Sequence, residues 1–197
     1  MKLNENYWES RYQHQQTGWD IGYISTPLKT YVDQLTKKDL RILIPGGGNG
    51  YEAAYLFEKG FPHVYLLDWA TAPLQAFQQQ YPHFPKKQLL HKDFFTLEGS
   101  FDLIIEQTFF CAILPQQRED YARKMVDLLR PNGKLVGVLF NIPLNTHQPP
   151  FGGNKKEYQP IFKPYFEFQY FEECYNSIPP RAGNELFILL KKSVENN

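Results

Sequence analysis

The segment Arg41-Ile-Leu-Ile-Pro-Gly-Gly-Gly-Asn-Gly50 constrains this chain more than any other. Ile42, Leu43 and Ile44 make the short, β-branched apolar run of a strand buried on both faces, the habit of parallel sheets. Four glycines among the five residues after Pro45 let the backbone approach a ligand with no Cβ in the way. From Tyr51 onward Ala53, Ala54, Leu56 and Phe57 recur at helical spacing until Gly60 supplies a stop. The order is strand, glycine loop, helix N-terminus, which is a cofactor-binding device. Its G-x-G-x-G spacing over Gly46, Gly48 and Gly50 departs from two phosphate-binding patterns. A dinucleotide fingerprint needs glycine where Tyr51 stands, and a P-loop needs Lys-Ser/Thr after its last glycine. S-adenosylmethionine is the remaining common user of such a loop; a glycine turn with no ligand is the alternative.

The rest of the chain alternates in the same manner. Asn4 to His14 carries Tyr7, Trp8, Arg11 and Tyr12 at helical spacing, and a second helix opens at Pro27 with Thr26 as its cap and Leu28, Tyr31, Val32 and Leu35 inward. Val64 to Leu67 reads as a strand that ends at Asp68, where a carboxylate can accept hydrogen bonds from both hydroxyls of a ribose. A helix around Pro73–Gln80 and a strand over Gln88–His91 lead to Asp93, again at a strand's carboxyl end. Phe101–Ile105 is the fourth strand, with Glu106 and Gln107 at its tip. A helix over Pro115–Leu129, a turn at Arg130-Pro-Asn-Gly133 and a fifth strand over Lys134–Phe140 follow. Residues 141–163 depart from simple alternation: a proline-rich loop and a short helix from Lys155 form an insertion on the substrate side. Phe166–Glu172 and Glu185–Leu190 pair as an antiparallel hairpin, and Lys191–Asn197 reads as a frayed tail. The fold class is α/β, a doubly wound, mostly parallel sheet. All 197 residues are assigned to one domain, with residues 1–36 as an amino-terminal lid.

Composition narrows the functions. With 21 basic and 21 acidic residues the net charge is zero, so no field gathers phosphates and nucleic acid is not expected as a partner. No apolar run approaches the ~20 residues of a membrane span, and the amino terminus lacks the apolar core of a signal peptide, so a cytoplasmic location is expected. Cys111 and Cys174 make neither a disulfide framework nor a metal site. Aromatic content is 16%, which suits either ring-walled sites or an aromatic core.

The sequence resembles the thiopurine S-methyltransferase family, and within it the plant-type halide and thiol methyltransferases. The residues that carry the resemblance are Trp19-Asp20-x-Gly22 with Thr26-Pro27, Ile44-Pro45-Gly46-Gly47-Gly48, Phe101-Asp102-Leu103-Ile104, Phe109-Phe110-Cys111-Ala112-Ile113, Leu129-Arg130-Pro131-Asn132-Gly133 and Pro149-Pro150-Phe151. The resemblance implies a seven-stranded sheet ordered 3-2-1-4-5-7-6 with the last strand antiparallel. It also implies S-adenosylmethionine across the carboxyl ends of the first strands. On this mapping Gly46 and Gly48 face the methionine portion, Asp68 the ribose, Asp93 and Phe94 the adenine, and Trp19 covers the cofactor; Glu106 is a further cofactor-side candidate. At the fourth strand's tip Gln107 stands where thiopurine enzymes have arginine and plant-type enzymes tyrosine.

Methyl transfer from a sulfonium to sulfur or halide needs no obligatory base. A halide carries no proton, and a thiol of pKa about 8.5 is partly ionised near neutrality. Trp8, Trp19, Phe110 and Phe151 are the candidate walls, with Tyr7 as hydroxyl donor to the incoming anion; plain core is the alternative for each. The acceptor is expected to be a small molecule and the protein a monomer. Rival readings are an oxygen or nitrogen methyltransferase using His147 as base, a non-catalytic cofactor-binding protein, and a nicotinamide dehydrogenase, against which Tyr51 speaks.

Overall fold

The computed structural model describes residues 2–193. Five strands, β1 (Ile42–Pro45), β2 (Val64–Asp68), β3 (Leu89–His91), β4 (Phe101–Gln107) and β5 (Leu129–Phe140), pair in parallel. Two more, β6 (Phe166–Glu173) and β7 (Glu185–Lys192), run antiparallel to each other, and β7 is also antiparallel to β5. The sheet order is β3-β2-β1-β4-β5-β7-β6, which is the expected order.

Alternation along the strands builds two cores. Ile42, Ile44, Val64, Leu66, Leu103, Ile105, Val136 and Val138 belong to one, with side chains of α2 (Thr26–Asp33), α3 (Tyr51–Glu58) and α4 (Thr71–Gln80). Leu43, Leu67, Ile104, Leu135 and Leu139 belong to the other, with α5 (Arg118–Leu128) and α6 (Lys155–Phe162). A sheet covered on both faces leaves only its strand ends for ligands, so the loops beyond those ends carry the site.

Several local expectations shift. Ser25, not Thr26, is the N-cap of α2, and its hydroxyl donates to Gln107 Oε1 at 2.9 Å instead of capping the helix. Residues 115–117 form a 3₁₀ turn before α5. Lys86–Gln88 is likewise a 3₁₀ turn, so β3 starts at Leu89. The turn expected at residues 130–133 lies inside β5, where Asn132 has φ +63° and the register to β4 jumps from Phe101↔Leu129 to Leu103↔Lys134. The tail begins later than expected: β7 includes Lys191 and Lys192, and residues 194–197 lie outside the described residues. Ahead of the sheet stands α1 (Glu5–Gln13), capped by Asn4, whose side chain accepts from Tyr7 N at 3.0 Å. No helix among the described residues is long and apolar enough to cross a membrane.

Candidate active site

The carboxyl ends of β1 to β5 open into a cavity of about 580 Å³, a size that suits small ligands and cofactors. Asp68, at the end of β2, is the polar anchor of its floor. Its Oδ2 accepts from Gly48 N at 2.9 Å and its Oδ1 from Ala70 N at 2.8 Å. Burial raises its pKa, while these amides pull it back down. Each oxygen retains a lone pair for one further donor, as the two hydroxyls of a ribose require. Asp93 and Phe94 follow on the same wall, Asp93 Oδ1 accepting from Phe95 N at 2.9 Å.

The glycine loop is shaped by what lies against it. Gly46 has φ +57°, and a Cβ there would come within 2.2 Å of the Phe109 ring. Gly48 has φ +52°, and a Cβ would meet the Tyr12 hydroxyl at 2.5 Å. Positive φ and close approach together reserve both positions for glycine. Gly46 lines the cavity; Gly48 acts one step back, through its bond to Asp68.

The amino-terminal segment closes the cavity from above the strand ends. Tyr7, Trp8, Arg11 and Tyr12 of α1 all reach the wall, as does Trp19. The Trp19 ring meets Trp8 at 5.7 Å and Tyr12 at 5.8 Å, edge to face in both cases. Three contacts fix this segment. Glu9 Oε2 accepts from Thr71 N and Ala72 N at 2.7 and 3.0 Å, capping α4 from outside its own helix. Asp20 Oδ2 accepts from Asn49 Nδ2 at 2.5 Å and from the Tyr51 hydroxyl at 3.2 Å. Arg181 Nη2 donates to Trp19 O at 2.8 Å.

Three candidates point elsewhere. Glu106 is fully buried: its Oε1 accepts from Phe109 N and Phe110 N at 2.8 and 2.9 Å, and its other oxygen accepts from the Tyr121 hydroxyl. Burial pushes its pKa up to about 7. It holds the segment after β4 and is not on the cavity wall. Phe110 packs in the core against Tyr121, Tyr158 and Phe162 at 5.0, 5.2 and 5.5 Å between ring centres. Thr108, at φ +56°, turns the chain so that Phe109 and Cys111 line the cavity in its place. Phe151 is 1% exposed, its N–H bonded to Cys111 O at 2.7 Å and its carbonyl to Arg118 Nη2 at 2.9 Å. Pro149 and Pro150 supply the wall there. His147 stands in an exposed loop away from the lining, and Gln107, whose Oε1 accepts from Ser25, is not on the lining either.

The far wall is formed by Phe140, at the end of β5, together with Pro149, Pro150, Pro180 and Arg181. Pro180 and Arg181 reach the cavity because β7 pairs antiparallel with β5, which brings the β6–β7 connection to the carboxyl rim. Strand periodicity gives no hint of that. Arg11 and Tyr12 are visible as part of a helical stripe, but nothing in the sequence assigns them to the cavity. Burial pushes the Cys111 thiol up to about 12 and raises the Tyr12 hydroxyl further, so neither is ionised near neutrality. Among the described residues, no three His, Cys, Asp or Glu side chains are placed to hold a metal ion.

A seven-stranded sheet of this order, with a glycine loop and an acidic residue at the ends of its first two strands, is the class I methyltransferase fold. The structure aligns over 96% of its length, at a TM-score of 0.77 and 16% identity, with 87% of a Burkholderia thailandensis 1,6-didemethyltoxoflavin-N1-methyltransferase determined with bound S-adenosylhomocysteine. The chain belongs to the thiopurine S-methyltransferase family, which it matches over residues 3–192. It is 31% identical over 192 residues to a probable thiol methyltransferase 2 of Arabidopsis thaliana, covering 94% of this chain and 84% of that one. To thiocyanate methyltransferase 1 of the same plant it is 30% identical over 190 residues, covering 93% and 83%.

Proposed function

We propose that this protein transfers the methyl group of S-adenosylmethionine to a small soft nucleophile, with bisulfide, small thiols and halides as the acceptor range. The observation that carries the reading is one cavity at the strand ends that is lined both by the acids Asp68 and Asp93 and by the apolar side chains of Trp8, Phe140 and Pro150. When bound, the cofactor supplies an electrophilic methyl on a sulfonium, and transfer is an in-line displacement.

The residues act by placement. Asp68 and Gly46 seat the nucleoside and methionine portions, Phe94 and Phe109 bracket them, and Trp19 covers them. Holding nucleophile and methyl at attack distance can supply ~7–11 kcal/mol. Aromatic walls exclude water and attract a cation, each ring face contributing about 0.5–2 kcal/mol. Tyr7 on the wall is placed to donate to an incoming anion. Tyr12 and Cys111 stay protonated, which removes them as bases and leaves deprotonation to the acceptor's own acidity. That favours acceptors already ionised near neutrality. The α1–α2 segment serves as the lid and residues 141–163 as the acceptor-side insertion of one catalytic domain. We place the protein in the cytoplasm as a monomer; Cys111 and Cys174, both free and buried, accord with a reducing compartment.

Incubation with methyl-labelled cofactor and a panel of bisulfide, thiols, thiocyanate and halides tests the reading. Volatile labelled methyl sulfide or methyl halide is the expected product. Cofactor binding without transfer to any member would refute the acceptor assignment.

A further inference from the structure

Three cations line the cavity: Arg11, Lys92 and Arg181. Lys92 stands beside Asp93 at the adenine end. Arg181 is committed, pairing with Glu185 Oε1 at 3.4 Å, donating to Trp19 O and lying over the Phe140 ring at 5.4 Å. Arg11 is different. Among the described residues it forms no ion pair, and its Nη1 reaches only Gln16 Oε1, at 3.5 Å. Its Nε is buried with no acceptor. Its guanidinium carbon lies 5.6 Å from the Trp19 ring centre and 5.9 Å from that of Tyr7. Stacking of this kind engages a guanidinium through its plane and leaves its N–H edges for hydrogen bonds. A guanidinium N–H buried without an acceptor is costly, and at a cavity wall a ligand can supply that acceptor. The free edge carries Nε, and a side-on guanidinium edge matches the two oxygens of a carboxylate.

We propose that Arg11 receives a carboxylate inside the cavity through this edge. The inference rests on the methyltransferase reading above and adds a ligand group to it. Two sources share the chemistry: the methionine carboxylate of the cofactor, and a carboxylate carried by the acceptor beside its sulfur. Either source gives α1 a charged anchor on the bound ligand.

Calorimetry on the full chain separates these. Wild type, Arg11→Met and Arg11→Lys are titrated with S-adenosylhomocysteine and with 5′-methylthioadenosine, which lacks the amino-acid portion. If the cofactor is the source, Arg11→Met weakens S-adenosylhomocysteine by about 10- to 100-fold. Methylthioadenosine is then unaffected, and Arg11→Lys falls between. If the acceptor is the source, S-adenosylhomocysteine affinity is unchanged, and KM for a mercaptocarboxylate rises by the same factor while KM for bisulfide does not. Equal weakening of both nucleosides, or no change in any of these quantities, overturns the proposal. Failure of the wild type to bind S-adenosylhomocysteine overturns the methyltransferase reading and this proposal with it. Arg11→Met loses the contact with Trp19 and Tyr7, so affinities are compared on variants whose unliganded melting shows them folded. If that variant does not fold, Arg11→Lys carries the test alone.

Discussion

The carboxylate of Glu106 accepts from two amides and from the Tyr121 hydroxyl. Burial pushes its pKa from 4.5 up to about 7, and burial does the same to Glu52. A raised carboxylate binds more protons folded than unfolded. The stability it contributes is fully present below pH 4.5 and is lost as pH rises through about 7. Urea unfolding of wild type is expected to show stability falling across that window. Glu106→Gln is expected to show a shallower fall, because one of the carboxylates raised by burial then no longer titrates. Equal slopes in the two proteins would remove Glu106 as the source. The sequence marks Glu106 as an acid at a strand tip but cannot show that its oxygens are already filled by the backbone three and four residues on.

At the scale of elements, two anchors hold the cavity's walls. Arg118 of α5 is buried and donates to the carbonyls of Phe151 and Gly152 at 2.9 and 2.8 Å. Arg118→Met leaves both carbonyls buried without a donor and is expected to cost about 2–3 kcal/mol in chemical denaturation. On the opposite rim, Ala70 offers α4 no side-chain cap, and Glu9 supplies one from α1. Glu9→Ala is expected to cost about 1 kcal/mol. It should also raise hydrogen exchange and proteolysis in α1 while leaving the sheet's protection unchanged. The order and type of the elements were legible in the sequence, because apolar runs of period two or 3.6 and glycine or proline stops are local signals. The tertiary anchors were not. The partners of Glu9 are some sixty residues away in the sequence, and Phe109 took the place assigned to Phe110 because Thr108 turns the chain by one position.

For the whole molecule, the sheet order and the family were readable because both rest on patterns spread over nearly the full chain. The full wall of the cavity was less legible, since it combines residues from the amino terminus, β5, the proline loop and the β6–β7 connection. A cavity that joins so many segments couples ligand binding to global stability. S-adenosylhomocysteine at a hundredfold excess over its Kd is expected to stabilise the fold by about 2.7 kcal/mol and raise Tm by roughly 5–10 °C. A thermal melt with and without the nucleoside checks this, and an unchanged Tm would mean that the cavity does not take it.

The reversed direction of β7 brings Pro180 and Arg181 to the rim from the last quarter of the chain, whereas Gly46, Asp68 and Asp93 come from its first half. The proposed nucleoside seat is thus written in the first half of the gene, while the rest of the cavity wall also draws on its last quarter. A lineage can redraw the late stretch while inheriting the early one intact. Exchanging residues 174–184 between relatives should move acceptor preference without moving nucleoside affinity.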